Sequence, residues 1–564
     1  MHFGNEMKRQ LANFLNRFLD KPHAIDIAAG LLFLLLTIIA SWPILTNLNT
    51  VIIGYDPDVH INPWADWWTL KALQDPEISL WQTNYLFYPH GANLSYHSFS
   101  HLNTLVSLAL RPIAGVLGGY NLAILLNYVL SGLAMFQLAR YVTKSTVAGL
   151  LAGMVFAFNS HNQYQSCHPV LISIWCFAWI TLYFMRAVRE NRVKWAVVAA
   201  VFVFLGTFSS TVLLIMIGMW MAILVIYMFF SADWPRPPWR IVLTFGLLSL
   251  LFVSPLLYPL LRDALFNSND SFLTNPYVSI RMDMFSIFVP HWYLWLIRGL
   301  YFGIMPLYLV FLAYGYRRRE ARLWFLLLIG AYLFSIGPRP YFAGNELNIT
   351  LPWTLPVAPV LRNMYRMNIL MSLGLAMLVA HGWIALTSQL KRVEARYIAA
   401  VIALLMVYLD YTAAPFPHTQ AEVSSFYTEY LDNVPNNVVL SILPTGRQED
   451  KRYLFYQTLH EHPMTGGVIS RSSPETFSFI YGNPLLRAGA VDLKSVPIPR
   501  NIPSHLQTLA AANVGYLIFD KTLMETAELE EWQDSIPSSP IFEDELVLVY
   551  STNIVTAQHS PPQS

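Results

Sequence analysis

The chain has 564 residues, of which 55% are hydrophobic and 12% charged, with a mean hydropathy of +0.43. An average soluble domain carries about 25% charged residues, so half the usual charge is missing. A net charge of +1 supplies no basic field for nucleic acid, and the two cysteines, Cys167 and Cys176, argue against a disulfide framework or a cysteine-based metal site.

Residues 1–24 carry Lys8, Arg9, Arg17 and Lys21 and read as a cytoplasmic segment. The apolar run that follows, Ile25 to Leu45, is too long for a signal-peptide core and no small-residue cleavage site follows it, so it predicts a retained signal anchor. Further segments near the length of a membrane span lie at 120–140, 146–160, 169–187, 194–210, 211–231, 240–261, 299–316, 322–337, 367–389 and 397–414. With the N-terminus inside, 19 of the 35 Lys and Arg fall on the cytoplasmic side, 8 in outer loops and 8 in the C-terminal tail. This bias predicts eleven spans, with the N-terminus in and the C-terminus out. The apolar stretch Leu102–Leu117 would invert every later loop if it spanned, and it contains Arg111-Pro112, so it is read as an interfacial or re-entrant helix.

The first outer loop then runs over 46–119. It concentrates Asp56, Asp58 and Asp66, His60, His90, His97 and His101, and Trp64, Trp67, Trp68 and Trp81. Two other outer stretches are long: Arg262–Arg298, with Arg281 and the run His291-Trp292-Tyr293-Leu294-Trp295, and Pro338–Arg366. The cytoplasmic loops are short and basic and contain neither a GxxxxGK[ST] stretch nor a strand-glycine-helix nucleotide pattern. Chemistry is therefore expected on the outer face. Over 415–564 charge rises, and Val438–Leu443, Gly515–Phe519 and Leu546–Tyr550 read as short strands. The expected fold is mainly α: a polytopic membrane protein of about eleven transmembrane helices over 25–414, with a small extracytoplasmic α/β C-terminal domain.

Asp56-Pro57-Asp58 lies about ten residues beyond the first span. Either carboxylate suits a general base that takes the proton of an acceptor hydroxyl, and the pair suits a divalent cation (Mg or Mn) held against a phosphate; the plain alternative is a solvated Asp-Pro turn. His97 and His101, spaced i, i+4, would share one face of a helix and could bind metal or phosphate, against interfacial histidines bonded to backbone or water. His168, at the entry to a span, is a candidate phosphate or sugar contact, with His90 a further one. Arg362 and Arg366, also i, i+4, stand at the outer mouth of the tenth span, where paired guanidiniums suit phosphate oxygens. Most Trp and Tyr residues read as an interfacial belt, while Trp64 and Trp68 could stack on a sugar ring.

Several stretches carry a resemblance: Gly54 to Trp68, Asn84-Tyr85-Leu86-Phe87-Tyr88-Pro89-His90, the entry at His168, Pro359-Val360-Leu361-Arg362-Asn363-Met364-Tyr365-Arg366, and Ala512-Asn513-Val514-Gly515-Tyr516. In this order they resemble the GT-C type glycosyltransferases, and more closely a poorly characterised bacterial GT-C-like group. The resemblance implies an inverting enzyme that moves a sugar from a polyprenyl-phosphate donor to a lipid, glycan or protein acceptor at the outer face of a bilayer. It matches Asp56 to the family's functional carboxylate. No WWDYG-like motif is present in the C-terminal region, which argues against an oligosaccharyltransferase acting on asparagine. Two other readings stay open. A lipid-linked glycan transporter or flippase would have mid-span charges and repeated halves, and a membrane scaffold in cell-envelope assembly would tolerate loss of the acidic loop.

Overall fold

The computed structural model describes residues 22–55, 57–95, 97–266, 281–290, 299–354, 363–412, 415–470, 472, 474–493 and 496–553. Each of the eleven apolar segments contains helix among the described residues, but 169–187 is interrupted between Ile172 and Trp175 and 299–316 turns helical only at Ile304. Six helices among the described residues are long and apolar enough to cross a membrane, and shorter apolar helices lie at Val193–Ser209 and Arg322–Ser335. The protein is a mainly α, multi-pass membrane protein.

Helix α1, Pro22–Ser41, packs against the long helix α4, Val116–Thr143. The contact is close because Gly132 of α4 and Gly153 of the following helix leave room for the Phe33 ring; a Cβ at either position would overlap that ring. The other face of α1 stays bare, with Leu31 61% exposed, as a lipid-facing helix should be. At the opposite extreme, Met364–Gln389 has 89% of its most apolar window buried. It contains the helix α6, Asn368–Gln389, which runs through the middle of the bundle.

The first loop is built from short pieces. They include strand β1 (Val51–Ile53), a 3-10 turn (Pro57–His60), helix α2 (Ile61–Gln74) and helix α3 (His101–Ala114). Helix α3 turns at Gly115 and folds back along α4. A buried polar network pins it there. Asn103 donates to Ser173 Oγ (3.1 Å), Asn127 of α4 donates to Asn103 Oδ1 (2.8 Å), and Trp175 Nε1 donates to Asn127 Oδ1 (2.9 Å). Trp175 opens the helix α5, Trp175–Glu190. Amides and hydroxyls buried beside membrane helices carry a desolvation cost unless paired, and here they pair with one another.

The C-terminal region carries strands β2 (His418–Gln420), β3 (Val439–Leu443), β4 (Val514–Asp520), β5 (Phe542–Glu543) and β6 (Val547–Ser551), with helix α7 (Asp450–His460) following β3. The sheet order is β3-β4-β6-β5, with β3 and β4 parallel and the other pairs antiparallel. Leu443, Leu517, Phe519, Trp532 and Leu548 fill a core on one face of it. Strand β2 leaves this sheet and pairs antiparallel with β1, matching Val51 with Gln420 and Ile53 with His418. The first loop and the C-terminal region are therefore continuous, and Trp64, Leu86, Leu454 and Ile469 belong to one apolar core.

Candidate active site

The site starts from Gly54. Its φ of +120° and its contacts leave no room for a side chain, since a Cβ would meet Val59 at 2.6 Å and Cys167 at 2.7 Å. Gly54 N–H donates to Pro417 O (2.7 Å), and Thr419 Oγ1 donates to Gly54 O (2.6 Å). The chain leaving β1 is thus clamped between the C-terminal region and the Cys167 backbone just before the acidic residues. Tyr55 is 72% exposed. Asp56 lies outside the described residues, between Tyr55 and the 3-10 turn that begins at Pro57.

Asp58 sits in that turn and accepts two cationic partners from distant parts of the chain. His168 Nε2 lies 2.9 Å from Asp58 Oδ2, and Lys451 Nζ pairs with Asp58 Oδ1. His168 is held by its own backbone bond to Gln165 O (2.8 Å), and its Nδ1 lies 2.9 Å from Cys167 Sγ. Asn62 of α2 ties the two strands of this knot together, donating to Cys167 O (2.9 Å) and to Asp58 O (3.2 Å). Lys451, the second residue of α7, is only 8% exposed at its side chain and also donates to Gln448 Oε1 (2.7 Å). Burial alone would raise the pKa of Asp58, but the hydrogen bond and charge of His168 and the charge of Lys451 hold it well below the ordinary carboxylate range. Burial likewise opposes charge on His168, yet Cys167 and the bond to Asp58 hold it well above the ordinary imidazole value. The result is a locked carboxylate between two cations.

The mouth of the tenth span adjoins this knot. Arg366 lies in the 3-10 turn Met364–Met367 that leads into α6. Its neighbour Tyr365 is close enough to act electrostatically on His168, and the Tyr365 ring lies 6.1 Å from that of His161. Arg362 lies outside the described residues. The structure therefore brings Asp58, His168 and the Arg366 turn into one region at the first-loop end of the helices.

Other expected site residues go elsewhere. Trp64 is fully buried: its ring stacks on Trp68 at 5.8 Å, His97 meets it edge-on, and its Nε1 donates to Gln457 Oε1 of α7 (2.7 Å). Trp68 is 1% exposed. Neither tryptophan offers a ring face to a sugar: Trp64 docks the C-terminal region on α2, and Trp68 packs within the first loop, its Nε1 donating to Leu80 O (3.2 Å). His90 is joined to Ser478 Oγ (2.9 Å) and is likewise a domain contact. His97 and His101 do not share a helical face, because α3 begins only at His101. The Phe99 ring stands between them, 4.9 Å from His97 and 5.4 Å from His101. The His291–Trp295 run and Arg298 lie outside the described residues. Arg281 is bound to Glu346 (2.5 Å).

The metal expectation at Asp58 does not fit these contacts. A divalent ion would have to displace two cationic partners from the carboxylate. Among the described residues there is no group of three or more His, Cys, Asp or Glu suited to a metal ion. The sequence does not mark Lys451 or Cys167 as part of the site. Lys451 stands in Asp450-Lys451-Arg452, which reads as the solvated first turn of a helix, and no local signal separates it from such a turn.

Between the far end of α2, α3 and the helices that carry Phe208 and Pro255 lies an apolar cavity of about 260 Å³ lined by Trp81, Phe99, Leu105, Phe208, Pro255 and Pro259 among others. His97 borders it with both ring nitrogens buried and without partners among the described residues.

No family model and no curated protein matches the sequence. Solved structures do. The arabinofuranosyltransferase AftD from mycobacteria is similar over 93% of this chain with a TM-score of 0.60 at 16% identity. The chain has the GT-C glycosyltransferase fold. The archaeal oligosaccharyltransferase AglB from Archaeoglobus fulgidus, solved with an inhibitory peptide and a dolichol-phosphate, is similar over 90% of this chain and 71% of its own, with a TM-score of 0.51 at 11% identity. ArnT from Cupriavidus metallidurans is similar over 93% of this chain and 97% of its own, with a TM-score of 0.51 at 12% identity. The chain spans 40% of the length of AftD. Identities this low establish the GT-C fold and leave the reaction to be argued from the site.

Proposed function

We propose that the protein is a membrane glycosyltransferase that transfers a sugar from a polyprenyl-phosphate donor to an acceptor at the outer face of the cytoplasmic membrane. The observation that carries this reading is the GT-C fold over nine-tenths of the chain, with the first-loop carboxylate Asp58 held by His168 close to the turn that leads into α6. The Lys and Arg bias supports an N-terminus inside and the acidic loop and C-terminal region outside.

In this reading Asp56 is the base. An acceptor oxygen attacks the anomeric carbon, its proton passes to Asp56, and the bond from that carbon to the phosphate oxygen breaks, releasing polyprenyl phosphate. A general base works best with a pKa near the operating pH. Asp58, held ionised far below that and engaged by Lys451 and His168, is a poor proton acceptor. Its role is to fix the turn that carries Asp56. Arg366, with Arg362, faces the donor phosphate, to which guanidinium groups are matched in charge and geometry. The apolar cavity lined by Trp81 suits a lipid chain that enters laterally between α3 and the helix Trp239–Phe266, which contributes Pro255 and Pro259 to its wall.

Reconstitution in proteoliposomes with a labelled polyprenyl-phosphate sugar tests the reading. Label should move to a water-soluble or lipid acceptor with release of polyprenyl phosphate. Movement of intact donor between leaflets, with no transfer to any acceptor, would instead identify a transporter.

A further inference from the structure

The end of the bundle opposite Asp58 holds a cavity that the proposed reaction does not use. It has a volume of about 610 Å³ and lies where the start of α1 and the ends of α4 and α5 meet. The 28 residues of α4 set it about 42 Å from the first-loop end of that helix.

Three cations line it, Arg140, Lys144 and Arg186, against one carboxylate among the described residues, Asp26. Asp26 is engaged by Arg140 at 3.0 Å, while the Arg140 Nη1 is buried without a partner among the described residues. Arg186 is braced by Glu190 (2.9 Å) and lies 3.8 Å over the Trp195 ring, and Lys144 lies 4.6 Å over the ring of Tyr141. The aromatic faces hold these cations around the hollow rather than letting them extend into water. A general excess of positive charge in cytoplasmic loops would scatter cations over the surface; here three converge on one space, with Asp26 on Arg140 and Glu190 on Arg186, which leaves Lys144 without a carboxylate partner among the described residues. On the α1 side the surface is apolar, with Ile27 53% and Leu31 61% exposed, so the hollow borders bilayer and not only water. Tyr183 and Trp195 line it too, and amphipathic rings of this kind suit the headgroup level of a bilayer.

We propose that this cavity binds the phosphate group of an anionic phospholipid from the adjoining leaflet, with Arg140, Lys144 and Arg186 as its ligands. Basic pockets between transmembrane helices suit such headgroups. Free phosphate has the same chemistry, and the bare apolar flank of α1 favours the lipid.

The test is thermal unfolding of the purified full-length protein in a neutral detergent. It is titrated separately with phosphatidylglycerol, phosphatidylcholine and inorganic phosphate, for the wild type and for Lys144→Asn/Arg186→Gln. Asn tolerates the left-handed backbone that Lys144 adopts at φ +60°. Phosphatidylglycerol should raise the unfolding temperature of the wild type and phosphatidylcholine should not. The double variant should need roughly tenfold more phosphatidylglycerol for the same rise, as expected when about 1.4 kcal/mol of contact is lost. If the double variant does not fold, Lys144→Asn alone is measured and should show a smaller shift in the same direction. An equal response of variant and wild type, or a response to phosphatidylcholine as large as to phosphatidylglycerol, overturns the site. A rise with inorganic phosphate that phosphatidylglycerol does not exceed overturns the lipid as its source.

Discussion

Asp58 is the residue on which three separated parts of the chain close. Replacing it by Asn leaves Lys451 nearly buried with only Gln448 to receive it among the described residues, and an uncompensated buried cation typically costs about 3 kcal/mol or more; because Asp58 is about a quarter exposed, water softens this and about 1–2 kcal/mol is expected. A double-mutant cycle with Lys451→Met checks the pairing: the loss on Asp58→Asn should shrink once Lys451→Met has removed the cation. The pH dependence of the knot follows from its two shifts. The depressed Asp58 contributes stability that is full above its ordinary 3.8 and is lost as pH falls through its lower folded value. The raised His168 contributes stability that is full below its ordinary 6.5 and is lost only as pH rises through its higher folded value. The knot should therefore hold undiminished from about pH 4 to pH 6.5, with losses outside that window.

Asp66 behaves oppositely. It is buried in α2, accepts from Thr104 Oγ1 (2.6 Å), and burial pushes its pKa up to about 6. A raised carboxylate pKa means that folding favours the neutral acid, so a cost appears as pH rises from 3.8 and is complete above about 6. Asp66→Asn keeps an acceptor for Thr104 and should stabilise the protein at about pH 7.5, by on the order of 2 kcal/mol, and leave it unchanged near pH 4. Unfolding temperatures of the two proteins at both pH values check this; an equal difference at both would contradict it.

At the scale of elements, the loop from Gly54 and helix α7 join the membrane helices to the C-terminal region. Gly54→Ala should push the Asp56-Pro57-Asp58 stretch away from Cys167, lowering transfer sharply while the protein still inserts. Assaying transfer against membrane abundance separates the two effects. Trp64→Ala removes the ring that docks α7 on α2 and should cost about 3–5 kcal/mol, the usual range for a buried Trp, read as a lower unfolding temperature and faster proteolysis of the C-terminal region. The residue types of this loop mark it as the centre of the molecule, but they misdirect its tryptophans to sugar, because stacking on a sugar and stacking on a neighbouring helix ask for the same residue type. The spacing of His97 and His101 alone suggests one helix face. The structure starts that helix one turn later, with Phe99 packed between the two imidazoles.

Across the whole molecule, the membrane segments are legible because a span imposes length and composition together; each expected segment contains helix among the described residues, and six of these helices are long and apolar enough to cross a membrane. The GT-C fold is legible from short motifs in a fixed order. The meeting of parts is not: Asp58 and His168 each stand out as candidates, but they are 110 residues apart, and Lys451 comes from a region whose contact with the first loop depends on the β1–β2 pairing. That pairing joins three residues to three, too few to announce itself in either segment. The fold thus delivers a loop acid, a histidine at a helix entry and a lysine from the C-terminal region to one place, with the Arg366 turn alongside.

The central claim is that sugar transfer runs through the first-loop acid Asp56. The most direct test compares wild type, Asp56→Asn and Asp58→Asn in proteoliposomes with a polyprenyl-phosphate-linked sugar, at matched protein abundance. The account predicts no detectable transfer for Asp56→Asn at any pH, and for Asp58→Asn a reduced transfer that falls in step with its lower stability. Full transfer by Asp56→Asn would contradict it.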